Sequence, residues 1–242
     1  MESCKLFTES FIDACIDYKY LLDRGYYWES ALNFVVTRYQ LSKIQKNIML
    51  RTIFSENEIK ERLAKTVSLN EVRNRILIVD GYNVLATIST AFLKLPLFIG
   101  LDGFVRDITS LRRRVIRDQI IYSSLTLLIS FVSRISPEKI VFLYDAQVSG
   151  SGNLALYTRI MLKRFGLEGK AHTVKRADKS SILHRKKAVV ASSDSVVIMF
   201  AEEIMDLAKA VIDKYFPMGN IYDLKKIISQ HYSRLNNHVM LR

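Results

Sequence analysis

Four aspartates fall where apolar runs end. Asp80 closes RILIVD (75–80), Asp145 closes KIVFLYD (139–145) and Asp194 follows AVVASS. Asp178 lies four residues after HTV (172–174), within KRADKSSIL. Apolar runs without alternation suit strands buried on both faces of a parallel sheet. In such sheets ligands bind at the carboxyl ends of the strands. If these strands are neighbours, the four carboxylates converge on one rim. Packed carboxylates repel one another and need positive compensation. Hard divalent cations such as Mg²⁺ or Mn²⁺ prefer oxygen ligands and suit that cluster. A metal held there activates water and stabilises charge on a phosphoryl group. Each acid also has a plainer role open to it. Asp80-Gly81 is common turn chemistry, and Asp145 suits a loop. Asp194 fits a helix cap between Ser193 and Ser195. Asp178, among Lys175, Arg176 and Lys179, suits a surface ion pair.

The charge balance points to an anionic partner. The chain holds 36 Lys and Arg against 24 Asp and Glu, a net of +12 over 242 residues. Residues 1–70 carry ten of the basic and nine of the acidic side chains, so +11 falls on residues 71–242. Nucleic acid ranks first as partner and an acidic membrane surface second. Arg112, Arg113 and Arg114 with Arg117, Lys163 with Arg164, Lys175 with Arg176, and Arg185, Lys186 and Lys187 form four basic clusters. One such cluster is ordinarily a solvated face, but four on a domain with an acidic site suit a nucleic-acid backbone. SGSGN (149–153) lacks the glycine fingerprint and the Lys-Ser/Thr pair of nucleotide loops, and reads as a turn. The four histidines show no ligand spacing. Cys4 and Cys15 lack zinc-site spacing and fit a reducing compartment. The longest apolar stretch, QIIYSSLTLLISFV (119–132), is too short to span a bilayer. The N-terminal residues lack an apolar signal core. The expectation is a cytoplasmic protein that does not engage a membrane.

The elements that must position these acids divide the chain in two. Residues 1–70 read as helices. Phe7, Phe11, Ala14, Tyr18 and Leu21 make one stripe, and Trp28, Leu32, Val35 and Tyr39 a second. Leu41, Ile44 and Ile48 make a third, and Ser55 with Glu58 has capping-box spacing ahead of a fourth. KTVSLNEVRN (65–74) loses periodicity and reads as a linker. From Arg75 strands alternate with helical stretches around 109–133, at 153–165 and within 201–216, which argues for an α/β domain with a central parallel sheet. The expected units are a small all-α module, 1–70, and an α/β domain, 71–242. The near-neutral module suits a protein partner or self-association.

VDGYNVL (79–85) resembles the first strand and acid of PIN-like nucleases, in particular the NYN branch. LYDAQVSGSGNLA (143–155), ADKSSI (177–182) and ASSDSVVI (191–198) are similar to that group's second, third and last acidic positions, in the same order. The helical part ahead resembles that of an uncharacterised archaeal family which pairs such a module with a PIN-like domain. The resemblance implies a PIN-like Rossmannoid fold and metal-dependent hydrolysis of nucleic acid, RNA ahead of DNA. It implies that Asp80, Asp145 and Asp194 hold Mg²⁺ or Mn²⁺ while Asp178 assists catalysis. Asn83, Arg112, Arg113, Arg114, Lys175, Arg176 and Lys179 are the expected nucleic-acid contacts. Such domains often draw a further acid from between the first two strands, where Asp102 and Asp107 stand; a loop acid or cap is the plainer reading of both. Two other functions compete. One is a catalytically inactive PIN-like RNA-binding or adaptor protein. The other is an aspartyl-phosphate phosphatase, which wants a second acid where this chain has Tyr82.

Overall fold

The computed structural model describes residues 6–108, 118–175 and 188–239. Helices α1 (Glu9–Asp23), α2 (Trp28–Arg38), α3 (Lys43–Thr52) and α4 (Glu56–Ala64) come first. Then follow β1 (Ile76–Asp80), α5 (Gly81–Phe92), β2 (Leu97–Ile99), β3 (Val105–Asp107), α6 (Asp118–Ser133), β4 (Lys139–Asp145), α7 (Ser151–Arg164) and β5 (Gly169–Val174). The chain continues through β6 (Ala188–Ala191), α8 (Ser195–Phe200), β7 (Glu203–Met205), α9 (Leu207–Tyr215), β8 (Ile221–Asp223) and α10 (Leu224–Val239). Among the described residues, no helix is long and apolar enough to cross a membrane.

Two compact units result, and their boundaries differ from the expected division at residue 70. The first unit takes residues 1–63, 96–109 and 221–242; the second takes 64–95 and 110–220. The helical stripes alone do not close the first core. Phe11, Ala14, Cys15, Tyr18, Leu32, Val35, Ile48 and Met49 share it with Phe98, Ile108 and Leu224. Phe98 comes from a small sheet of order β3-β2-β8, with β2 antiparallel to β3 and parallel to β8, while Ile108 directly follows β3 and Leu224 opens α10. The helix starts are written locally. Thr8 Oγ1 accepts from Phe11 N at 3.2 Å. Ser42 with Gln45 forms a full capping box. In the box expected at Ser55, that residue's N donates to Glu58 Oε2 at 3.0 Å and Glu58 N donates to Ser55 Oγ at 3.3 Å.

The second unit is α/β, with five described strands in the order β5-β4-β1-β6-β7, all parallel. Chain order runs outward from β1 in one direction and then in the other, as in a doubly wound, Rossmann-like sheet. Leu77, Ile78 and Val79 of β1 and all of β6 are buried, as expected for strands covered on both faces. Residues 65–74 are not a free linker. Thr66 bridges Ile204 of β7, Val67 N donates to Ile204 O at 2.9 Å, and Ile204 N donates to Lys65 O at 2.9 Å. A 3-10 turn, Leu69–Val72, follows with its own capping box, and Val72 is buried. The segment lacks helical period because it lies along the sheet edge. The helix expected within 201–216 is α9, and the residues 203–205 ahead of it pair with β6.

Candidate functional site

The order of the parallel sheet reverses between β1 and β6, and ligands of open α/β sheets bind outside the carboxyl ends at such a point. Asp80 ends β1 there and is 2% exposed. It takes the position before α5, yet its side chain makes no capping bond. Its Oδ2 instead accepts from Ser192 Oγ at 3.0 Å. The register explains that pairing: Val79 is level with Ala191, so Asp80 and Ser192 are the next step on adjacent strands. Ser192 Oγ also accepts from Asp194 N at 3.1 Å. One hydroxyl therefore ties the acid of β1 to the backbone of the acid after β6.

Asn83, on the first turn of α5, closes the same loop. Its Oδ1 accepts from Ser193 Oγ at 2.9 Å and from Ser193 N at 3.2 Å. With both bonds on the oxygen, the Asn83 amide nitrogen is left as a donor. Asp194 does cap α8: its Oδ1 accepts from Val196 N at 2.9 Å and Val197 N at 3.4 Å. Asp145 makes a turn of its own, Oδ1 accepting from Gln147 N at 2.9 Å. Both acids are half-buried, and each keeps Oδ2 without a hydrogen-bond partner among the described residues. Asp80 is level with Leu143, so Asp145 stands two residues farther along β4, on the same face as Asp80. Exposed Lys175 directly follows Val174, the residue level with Asp145 on β5.

The structure thus joins Asp80, Asn83 and Asp194 through Ser192 and Ser193, with Asp145 and Lys175 on the rim formed by the neighbouring strand ends. Asp178, Arg112, Arg113, Arg114, Arg176 and Lys179 lie outside the described residues. Among the described residues, no three His, Cys, Asp or Glu side chains stand as a ready-made metal cage. Ser192 and Ser193 were missed as individual site residues; their position between a buried strand and Asp194 is the signal that marks them.

Asp102 and Asp107 serve the first unit. Asp102 is fully buried and accepts from Arg62 Nη1 at 2.8 Å, Arg106 Nη1 at 2.7 Å and Arg106 Nη2 at 2.5 Å. Burial alone would raise its pKa, but Arg106 and Arg62 outweigh that and hold it below the usual carboxylate range. Arg62 also lies 3.7 Å over the Phe54 ring. Asp107 pairs with Arg51 at 3.6 Å.

Comparison with known families gives two matches. The model described as "Domain of unknown function (DUF5616)" covers residues 69–210, more than half of the chain. The chain belongs to the DUF5616 family. Ahead of that region, the model described as "Protein of unknown function (DUF434)" covers residues 10–65. The chain is 34% identical over 182 residues to "Uncharacterized protein MJ0935" of Methanocaldococcus jannaschii, across 75% of this chain and 86% of that protein. No solved structure matches. All four expected acids fall in the DUF5616 region, as does the β2–β3 hairpin that packs into the core of the first unit.

Proposed function

We propose that the chain is a metal-dependent nuclease of PIN-like type, acting on phosphodiester bonds of RNA ahead of DNA at the rim around Asp80. The observation that carries the reading is a buried carboxylate at the switch point, hydrogen-bonded through Ser192 to the loop that carries Asp194. Carboxylates gathered on one strand-end rim repel one another, and a bound cation relieves that repulsion. The donor set suits a hard ion: Mg²⁺ is commonly held by one or two carboxylates, with substrate phosphate and water completing the shell. Asp80, Asp145 and Asp194 would hold it, and the ion would supply an activated water and neutralise charge on the phosphoryl group. The Asn83 nitrogen would donate to a phosphate oxygen, and Lys175 would hold the backbone beside Asp145. Charge supports an anionic substrate, since the second unit carries 22 Lys and Arg against 12 Asp and Glu, a balance of +10. The same reading takes the protein to be cytoplasmic.

The test uses a mixture of single-stranded and structured RNAs with Mg²⁺, with Mn²⁺ and with chelator. Asp80→Asn, Asp145→Asn and Asp194→Asn keep the acceptor oxygens that bond Ser192, Gln147 and the α8 amides. Each is expected to fold and to lower turnover by about a hundredfold or more. Binding without metal-dependent cleavage in the parent would leave an RNA-binding adaptor instead. Equal cleavage by parent and variants would place the activity elsewhere.

A further inference from the structure

The first unit presents a run of exposed aromatic side chains where α1 turns into α2. The turn is of the Schellman type: Gly25 N, from a residue at φ +80°, donates to Leu22 O at 3.0 Å, and Tyr26 N donates to Leu21 O at 3.1 Å. Tyr26, Tyr27 and Trp28 follow directly. The Tyr27 and Trp28 rings stand 5.7 Å apart, and the Arg24 guanidinium lies 5.1 Å over the ring of Tyr20, one turn back on α1. Tyr20, Tyr26, Tyr27 and Trp28 are each between 45% and 62% exposed. Beneath them, buried Tyr18 donates its hydroxyl to Trp28 O at 3.4 Å, and Ala31 N donates to Tyr27 O at 3.0 Å. The backbone under the rings is therefore held, and the rings stand in the open.

We propose that this surface is the face through which two copies of the chain pair. Four aromatic side chains of about 150–250 Å² each, a little over half exposed, present on the order of 450 Å². That is the scale at which an exposed patch marks an interaction site. One side of a standard protein interface is about 800 Å², a little over half of it apolar, so the rings supply the apolar share that one copy must contribute. Composition agrees, since Tyr, Trp and Arg are the residues enriched at interface centres. Charge decides against a polyanion. Nucleic-acid affinity draws on cations that neutralise phosphates, but Lys19 is engaged by Asp23 at 2.8 Å and Glu56 at 3.3 Å, and Asp23 and Glu29 stand on either side of Arg24 in the chain. The same charges suit a second copy. In a two-fold pairing each patch meets itself reversed, so Arg24 of one copy can face Glu29 of the other while the rings between them stack.

Trp28 is the single tryptophan of the chain, so pairing can be read at the face itself. The full chain is diluted from about 100 μM to about 0.1 μM, a range set by the micromolar or tighter affinities of interfaces of this size, while sedimentation and tryptophan emission are followed. A dimer is expected at the upper end. As it dissociates, Trp28 emission should move to the red and its quenching by acrylamide should rise, over the same concentrations at which the mass halves. The double variant Tyr26→Ser, Tyr27→Ser keeps the reporter. Tyr27 takes the N-cap position of α2 without a side-chain capping bond, and serine is a preferred N-cap, so the variant should melt no lower than the parent monomer. Its dissociation constant should rise about a hundredfold or more, because each ring is lost twice across a two-fold face. A parent that is monomeric throughout, a dimer whose dissociation leaves Trp28 emission and quenching unchanged, or a variant that pairs as tightly as the parent overturns the proposal. Shielding of Trp28 by an added ribo-oligomer in a monomeric parent would make the face a nucleic-acid surface and overturns it too.

Discussion

Replacing Asp102 by Asn removes one charge from the most buried ionic cluster among the described residues. The carboxylate is 0% exposed, while the Arg62 and Arg106 side chains are 9% and 3% exposed. In the variant one carboxamide position still accepts, so the bonds from Arg106 Nη1 and from Phe104 N, now 2.7 and 3.3 Å to Oδ1, can persist. The other position becomes an NH₂ that faces two donors, Arg62 Nη1 and Arg106 Nη2. Two charge-assisted bonds are lost and the buried Arg106 guanidinium loses this carboxylate, while Arg62 keeps Glu58 at 3.5 Å. Breaking a buried pair from one side costs about 3–5 kcal/mol. For a chain of this size that lowers the melting temperature by on the order of 10 °C. Asp107→Asn is the control. Its partner Arg51 stands 3.6 Å away with a side chain 41% exposed, and the loss should stay below about 1 kcal/mol.

The sign of the pH dependence follows from the depressed pKa of Asp102. A carboxylate held below its unfolded value contributes fully above that value, about 3.9, and loses the contribution as pH falls through the folded pKa. The parent and Asp102→Asn should therefore differ by a constant amount from neutral pH down to about pH 4, and converge below it. Urea unfolding followed by circular dichroism from pH 7 to pH 2 measures both features. A gap under about 1 kcal/mol at pH 7, or one that persists unchanged to pH 2, would refute the idea that this acid is the ionised centre of the cluster.

Other outcomes follow from the same geometry. Gly81→Ala would put a methyl 2.6 Å from Cδ1 of Tyr144 and 3.1 Å from Leu143 O. Tyr144 is buried and bonded to Thr158 at 2.7 Å, so the urea midpoint should fall by the equivalent of about 1–3 kcal/mol, and an unchanged midpoint would contradict the close approach. A chain truncated to residues 71–242 keeps Phe98, Ile108 and Leu224 but loses the helices that cover them. It should bind a hydrophobic dye and aggregate, whereas a monomeric, cooperatively melting fragment would argue against the shared core. RNA affinity should fall linearly on a log–log plot against salt, and replacing Arg112, Arg113 and Arg114 with Ala should reduce the slope by about 2–3. A slope near zero would remove phosphate contacts from the account.

What the sequence made legible depended on how far each signal travels along the chain. β1 and β4 were readable because five to seven consecutive positions serve one buried strand. The capping box at Ser55 was readable because both partners lie within three residues. β2, β3 and β8 escaped because each is three residues long, too short for a period, and because their reason for being strands is a core built by residues 11–49. Asp80-Gly81 and Asp102-Gly103 show the limit most clearly. The dipeptides are identical and both acids are buried. Gly103 takes a φ of +81°, the turn conformation that glycine permits; Gly81 is helical and is required by the ring of Tyr144. Asp102 meets Arg62, 40 positions upstream, and its charge is consumed in holding the first unit together. Asp80 meets Ser192, 112 positions downstream, and through that hydroxyl the backbone of Asp194. A buried carboxylate given two guanidinium groups is complete as structure. Asp80 instead ends its strand where the sheet order reverses, on the same face as Asp145 and tied through Ser192 to the loop of Asp194, and that placement is the physical ground for seeking chemistry at Asp80 and stability at Asp102.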